Sequence, residues 1–448
     1  MSEISGRMVS ALVTTGTEFL GTVGPFPVAS PWWTEVAPVV AHLEEVLRTP
    51  VAVLRLVDVQ GGADGRPREG HTTYHVEALR RPAALPGVLR PAGSGAGRGH
   101  GNGHGTGPGR EDGHRNGREA GDGHGDGISE LTGPVPHRAD WATAAGVRAA
   151  LAWAESALRL AGRPADGPVR QVKTWNLAAL FRIPTGRGPV WLKITPEFAA
   201  DEARVIEILA AEDPDLVPPV VAADPRNRRV LLEHVPGDDC WNAPGEVVRE
   251  AVGRLVAAQA AIARRWAGGR PDGLPDRTPP VLAGLVHELL DGEAGRDLSA
   301  GELRLARELA DRLPSIVAAL EACGLPYTLV HGDFHPGNWR SDGHGTVVLD
   351  LADGHYGHPA LDGLRPRDFL PGERWDTAAA AWRESWAAQV PGCDPERALA
   401  LAEPLQHLAY AVRYQEFLDN IELSERRYHE GDPAHAVRAA LAAAAGMG

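Results

Sequence analysis

Long apolar runs, paired cysteines and a basic surplus are what this chain lacks. No stretch of about 18 consecutive apolar residues occurs, so no membrane-spanning helix is expected. Three cysteines, Cys240, Cys323 and Cys393, are odd in number and widely spaced, which argues against a disulfide framework and suits a reducing cytoplasm. Basic residues number 45 against 59 acidic ones, a net charge of −14. A surplus of that sign gives phosphate backbones and anionic lipid nothing to dock on, so neither nucleic acid nor a membrane surface is expected as a partner. The opening residues lack a basic segment leading into an apolar one, so no secretory signal is expected.

A second absence divides the chain. Between Arg90 and Ile128 there is no Val, Leu, Ile, Met or aromatic residue, while Gly, His, Arg and Asp recur. Such a stretch has too little apolar surface to offset the entropy of ordering it and reads as a disordered linker. Its histidines, His100, His104, His114 and His124, lack the tight spacing of a metal site. The expected organisation is a small α/β module over 1–90, a Gly/His-rich linker over 91–128, a β-rich unit with a leading helix over 129–236, and a helical unit over 237–448. Of 448 residues, 43% are hydrophobic, ample for the cores that this division requires.

In the first module, apolar spacing predicts a helix from Trp33 to Leu47, a strand over 51–57 and an antiparallel partner over 72–79. Trp32 and Trp33 read as core or interface anchors. After the linker, one long helix is expected from Trp141 to Leu160, then strands to about His234, then helices.

The chemistry concentrates in Tyr327–Trp339, which carries His331, Asp333 and, five residues on, Asn338. A turn at 341–345 and a buried strand at 346–349 then lead to Asp350, so the hairpin brings Asp333, Asn338 and Asp350 to one end. Two carboxylates and an amide suit phosphoryl transfer: one carboxylate meets the acceptor hydroxyl, while the other and the amide oxygen hold Mg²⁺, a hard ion. A second component is the alternating strand Val190–Ile194, with Lys193 in its middle. The following helix, at about 200–211, carries Glu202 on the same face as Val205, Ile206 and Leu209. A carboxylate there needs a partner, and Lys193 is the candidate; the alternative is a surface glutamate favoured by the helix dipole.

HGDFHPGN at 331–338 and VVLDLADGHYGHPALD at 347–362 resemble the aminoglycoside phosphotransferase family, small-molecule kinases with the protein-kinase-like fold. The resemblance covers about Val169 to the C-terminus. It implies an α+β, two-lobed architecture, with a small β-rich N-lobe and a large helical C-lobe. It also implies ATP and Mg²⁺ as cofactors and a hydroxyl of a small molecule as acceptor: an aminoglycoside-like antibiotic, a sugar or an amino alcohol. Asp333 would be the catalytic aspartate and His331 the brace of its loop. Asn338 and Asp350 would hold the metal, Lys193 the α- and β-phosphates, and Glu202 would orient Lys193. Asp362 would anchor the loop. Residues 231–237 resemble the interlobe hinge, with the backbone at Glu233 and Val235 facing adenine.

Two departures stand out. Thr174–Ala179 has no GxGxxG, and Leu351-Ala352-Asp353 replaces the family's Trp-Glu, with Asp353 either a second acidic neighbour of the metal or a loop carboxylate, the latter preferred. His335 either touches substrate or stacks on Trp339. Acidic residues Asp419, Glu422, Glu425 and Glu430 are candidates for an anionic pocket that would take a cationic acceptor. The alternative to an enzyme is a nucleotide-binding pseudokinase or regulatory module, which retention of Lys193, Asp333, Asn338 and Asp350 disfavours.

Overall fold

The computed structural model describes residues 7–60, 70–83, 88–90, 131–267 and 269–446. The expected linker, residues 91–128 with its four histidines, lies outside the described residues.

The first unit is a four-stranded sheet in the order β2-β1-β4-β3, with β1 at Arg7–Thr15, β2 at Glu18–Val28, β3 at Val51–Gln60 and β4 at His71–Ala78. β3 and β4 pair antiparallel, as their spacing predicts, whereas β1 lies parallel to β4. The strands β1 and β2 were not singled out in the sequence. One helix, Ala37–Leu47, lays Val39, Val40, Leu43 and Leu47 on the sheet. It starts four residues later than its apolar pattern suggests. Before it, Arg7 donates to the carbonyls of Ser30 (3.1 Å), Trp32 and Glu35 (3.0 Å), and the Tyr74 hydroxyl donates to that of Trp33 (2.7 Å), which ties this stretch to the sheet. Trp33 is a core anchor, whereas Trp32 is exposed and so is not part of the core.

The long helix expected from Trp141 is two pieces. Asp140–Ala142 is a single 3₁₀ turn, and Thr143, in extended conformation, caps the helix Ala144–Leu160 by accepting from the Gly146 amide at 3.0 Å. A threonine satisfies the orphan amides at a helix start better than it continues a helix.

A five-stranded antiparallel sheet follows in the order β5-β6-β7-β9-β8: β5 at Arg170–Trp175, β6 at Ala178–Ile183, β7 at Val190–Ile194, β8 at Val220–Asp224 and β9 at Arg229–Glu233. The helix Glu202–Ala210 packs between this sheet and the helical part. The first unit leans on the sheet directly. Ala52 and Leu54 of β3 share a core with Trp141, Phe181 and Leu192, and the backbone of 34–36 bonds that of 172–174 (Val36 N–H to Val172 C=O, 3.2 Å; Thr174 N–H to Thr34 C=O, 3.0 Å).

Beyond residue 240 helices dominate, among them Gly245–Arg265, Ala300–Glu321, Gly372–Gln389 and Pro395–Asn420. Sheets precede and helices follow, so the chain is a mixed α+β protein. The short strands Thr328–Val330 and His355–Gly357 pair with each other, and Trp339–Ser341 pairs with Thr346–Val348. These two pairings set the loops that carry the site. No helix among the described residues is long and apolar enough to cross a membrane.

Candidate active site

The loop at 331–338 is held from behind. The carboxylate of Asp362, buried, accepts from the amides of His331 (2.7 Å) and Gly332 (3.0 Å) and from the Gln259 side chain (2.8 Å). Burial pushes the Asp362 carboxyl up, and these donors oppose the shift only in part. His331 is itself buried; its Nε2 bonds the Leu349 carbonyl at 3.0 Å and its Nδ1 accepts from the Asp333 amide at 3.1 Å. One imidazole thus ties the loop to the strand that ends at Asp350. Gly332 has φ +87°, and a Cβ there would meet the Asp353 carbonyl at 2.4 Å, so only glycine fits.

Asp333 is heavily engaged. Its Oδ1 accepts from Arg365 Nε and Nη2, each at 2.8 Å, while Oδ2 faces His335 Nε2 at 3.3 Å and the Asn338 amide at 3.1 Å. Burial pushes this carboxyl up, but Arg365 and His335 outweigh it and hold the group below the usual carboxylate range. Asn338 also donates to the Asp333 carbonyl at 3.0 Å. With its nitrogen committed to Asp333, its oxygen is the atom left to meet a cation. The Leu349 amide donates to the Asn338 carbonyl at 2.8 Å, which brings Asn338 beside Asp350. Asp350 sits at φ +61°, a left-handed backbone that is uncommon outside glycine and concentrates at functional sites.

Lys193 joins the two halves. Its ammonium lies 2.8 Å from Glu202 and 2.6 Å from Asp350. Burial alone would discharge it, yet the Asp350 and Glu202 carboxylates prevail and raise its pKa above the ordinary value. Glu202 is buried, its own carboxyl pushed up by burial and only partly brought back by Lys193. Its Oε1 also accepts from the Leu351 amide at 3.0 Å, so one carboxylate orients both the lysine and the backbone just past Asp350. Glu202 faces inward and Glu207, one turn on, is exposed.

At the end of β9, the Glu233 side chain pairs with Arg163, and its amide donates to the Pro219 carbonyl at 2.9 Å. Val235 is buried. A cleft of about 340 Å³ opens beside Asp333 and Asp350; Lys193, Glu202, Asn338, Glu233 and Val235 are not among the residues lining it. Two hard oxygen donors at one place, Asn338 and Asp350, fit Mg²⁺, which takes few protein ligands when phosphates complete its shell. Among the described residues, no group of three or more His, Cys, Asp or Glu is arranged to hold a metal ion.

Several lining residues escaped the sequence reading: Trp175, Arg365, Tyr410, Arg413, Tyr414 and Tyr428. A signal existed for some of them, because Tyr410, Arg413, Tyr414 and Phe417 stand at i, i+3, i+4 and i+7, one face of a helix. Arg413 holds Asp353 at 2.6 Å, and Asp353 lines the cleft together with Asp333 and Asp350. His335 stacks on Phe369 (4.3 Å) and Trp241 (5.4 Å), not on Trp339, whose ring packs on Phe334. The anionic acceptor pocket is also corrected. Glu422 and Glu425 are buried against the first unit, while Asp419 bonds Gln415 and Glu430 pairs with Arg427. The aromatic faces nearby are already covered by cations, with Arg365 4.2 Å from the Tyr410 ring centre and Arg413 4.4 Å from that of Phe417.

Residues 158–399 match the model of the phosphotransferase enzyme family. Similar solved structures include a choline kinase from Streptococcus pneumoniae (14% identity, 66% of this chain and 99% of that one, TM-score 0.48) and a macrolide 2'-phosphotransferase from Brachybacterium faecium (20%, 65% and 97%, 0.44). A spectinomycin phosphotransferase solved with ADP and spectinomycin is also similar (12%, 65% and 98%, 0.42). Among curated proteins, none matches. Since the family match takes in more than half of the chain, this protein belongs to the phosphotransferase enzyme family and is a small-molecule phosphotransferase.

Proposed function

We propose that the enzyme transfers the γ-phosphate of ATP directly to a hydroxyl of a small molecule, in line and without a covalent intermediate. The observation that supports this best is the bridge of Lys193 to both Glu202 and Asp350 at 2.8 and 2.6 Å, with Asp333 across the same cleft. When nucleotide enters, Lys193 turns its charge from Asp350 to the α- and β-phosphates while Glu202 keeps it aimed. Asp350 and Asn338 are the residues that would hold Mg²⁺, which neutralises charge on the phosphate oxygens. The Glu233 carbonyl and the Val235 amide face the adenine edge. Asp333, ionised at neutral pH, accepts the hydrogen bond of the incoming hydroxyl, orients it, and takes its proton as the new oxygen–phosphorus bond forms and the bond from the γ-phosphorus to the β-phosphate oxygen breaks, releasing ADP. His331 holds the loop and does not react.

The division into units over 1–90, 129–236 and 237–448 goes with this reading. The last two are the lobes of a protein-kinase-like fold closing on the nucleotide. The three cysteines, none in a disulfide, fit a cytoplasmic enzyme. A pseudokinase is the second reading, and the presence of Lys193, Asp333, Asn338 and Asp350 together weighs against it.

A panel of hydroxylated metabolites and antibiotics, scored by ATP consumption and product mass, tests the activity. Asp350→Asn tests the metal role: it should raise the Mg²⁺ concentration needed for both nucleotide binding and turnover, because a neutral amide replaces an anionic ligand. An unchanged Mg²⁺ requirement would remove Asp350 from the metal site.

A further inference from the structure

The parts of the chain outside the family match, before residue 158 and after 399, meet one another at the acceptor end of the cleft. β3 is an edge strand of the first sheet. Its free side is covered by side chains from two different places. Val53 exchanges both backbone bonds with the Gln171 amide of β5, each at 2.8 Å. Leu56, three residues on and next to a bulge, donates its amide to Glu425 at 2.9 Å, and its carbonyl lies 2.9 Å from the Ser424 hydroxyl, which also reaches the Glu422 carboxylate at 2.7 Å. One strand therefore grips the five-stranded sheet with one residue and the C-terminal segment with another.

A buried ion cluster lies beside this grip. Glu422 takes Arg55 on one oxygen and Arg138 on the other, both at 2.6 Å. Arg55 continues to His75 Nδ1 and the Leu131 carbonyl, each at 3.1 Å. The segment held in this way is a 3₁₀ stretch, Leu423–Tyr428, a conformation too weakly bonded to set its own position. Just after it, Tyr428, His429 and Asp432 line the cleft. The Tyr428 ring stands edge-on to Trp33 of the first unit (5.8 Å) and to Trp175 of β5 (5.7 Å), and Trp175 lines the cleft as well.

We propose that the first unit is a clamp for the acceptor wall. Through Leu56 and Arg55, with Arg138 of the following unit as the second cation on Glu422, it holds residues 422–425 so that Tyr428 and His429 face the acceptor, which makes Glu422, Ser424 and Glu425 positioning residues for acceptor binding. The inference rests on the reading of this cleft as the acceptor site. It assigns a task to a unit whose own residues carry no chemistry, and it places that task at the acceptor rather than the nucleotide.

The test uses the full chain with Ser424→Ala and Glu425→Ala combined, which releases Leu56 without stranding a charge, and with Ser424→Ala alone as the milder change. Burial pushes the Glu425 carboxyl up to about 8, so Glu425→Gln is a close mimic that keeps the accepting oxygen. In the double variant, hydrogen exchange of amides 426–432 should speed up while MgADP affinity, measured by titration calorimetry, stays unchanged. KM for the acceptor found in the panel should rise about tenfold, the effect of one or two lost positioning hydrogen bonds, with kcat little altered. Glu425→Gln should restore wild-type KM. Unchanged exchange over 426–432, an unchanged acceptor KM, or a parallel loss of MgADP affinity would each overturn the clamp. Failure of the wild-type enzyme to phosphorylate any acceptor would count against the functional reading instead, and the exchange measurement would still judge the clamp.

Discussion

Asp333→Asn should leave MgATP affinity nearly intact and lower kcat by about 10²- to 10⁴-fold, the usual contribution of a positioned acid–base group. The change keeps the shape of the side chain. Its amide oxygen can still accept from Arg365, but its nitrogen faces the donors of His335 and Asn338, and it no longer offers the hydroxyl an anionic acceptor. Titration calorimetry with MgATP and steady-state kinetics with an authentic acceptor separate the two effects. The pH profile adds a second check. Burial would raise the Asp333 carboxyl, and Arg365 first and then His335 bring it below the carboxylate range. The wild-type acid limb of kcat should therefore lie below the ordinary carboxylate value of about 3.9. Arg365→Gln removes the larger of these opposing charges, so burial prevails and the limb should move to higher pH. The same linkage bears on stability: a depressed pKa contributes stability above the unfolded value and loses it as pH falls through the folded one. Near-normal turnover in Asp333→Asn would end the catalytic assignment and favour the pseudokinase.

Lys193→Ala and Glu202→Ala should each lower turnover by about 10²-fold or more, the scale for losing one fixed electrostatic group at a phosphoryl site. The double variant should be little worse than either single one. The reason is geometric. Glu202 acts on the phosphates only through the ammonium 2.8 Å away, so once Lys193 is gone there is little left for Glu202 to aim. Effects of residues that act as a unit are non-additive, and a double-mutant cycle on kcat/KM for ATP measures this directly. A small residual term is expected because Glu202 also accepts from the Leu351 amide at 3.0 Å. Fully additive losses would mean that this backbone contact, not the lysine, is what Glu202 supplies.

Not all of the site was hidden before folding. Asp333 and Asn338 are five residues apart in one loop, and a tight turn between two short strands delivers Asp350. Those relations are local, so spacing and residue type suffice to read them. Glu202 could be placed inward because helical periodicity fixes which residues share a face. The inward face then left a carboxylate that had to find a cation, and Lys193, nine residues earlier, supplies it. At Trp141 spacing misled because a local alternative bond had won: Thr143 caps where the apolar pattern runs on.

The sequence by itself therefore carried the family resemblance, the loop proposed to do the chemistry, and the paired lysine and glutamate. Only the tertiary structure decided which distant charges meet. With 45 basic and 59 acidic residues, no pattern marks Arg365 as the partner of Asp333, or Arg55 as the partner of Glu422, 367 positions away. A glutamate on a C-terminal turn reads as solvated until an edge strand from the other end of the chain arrives to cover it. Pairing over that distance is chosen by packing, because the cost of burying a charge alone forces each buried charge to find whichever partner the fold brings within reach.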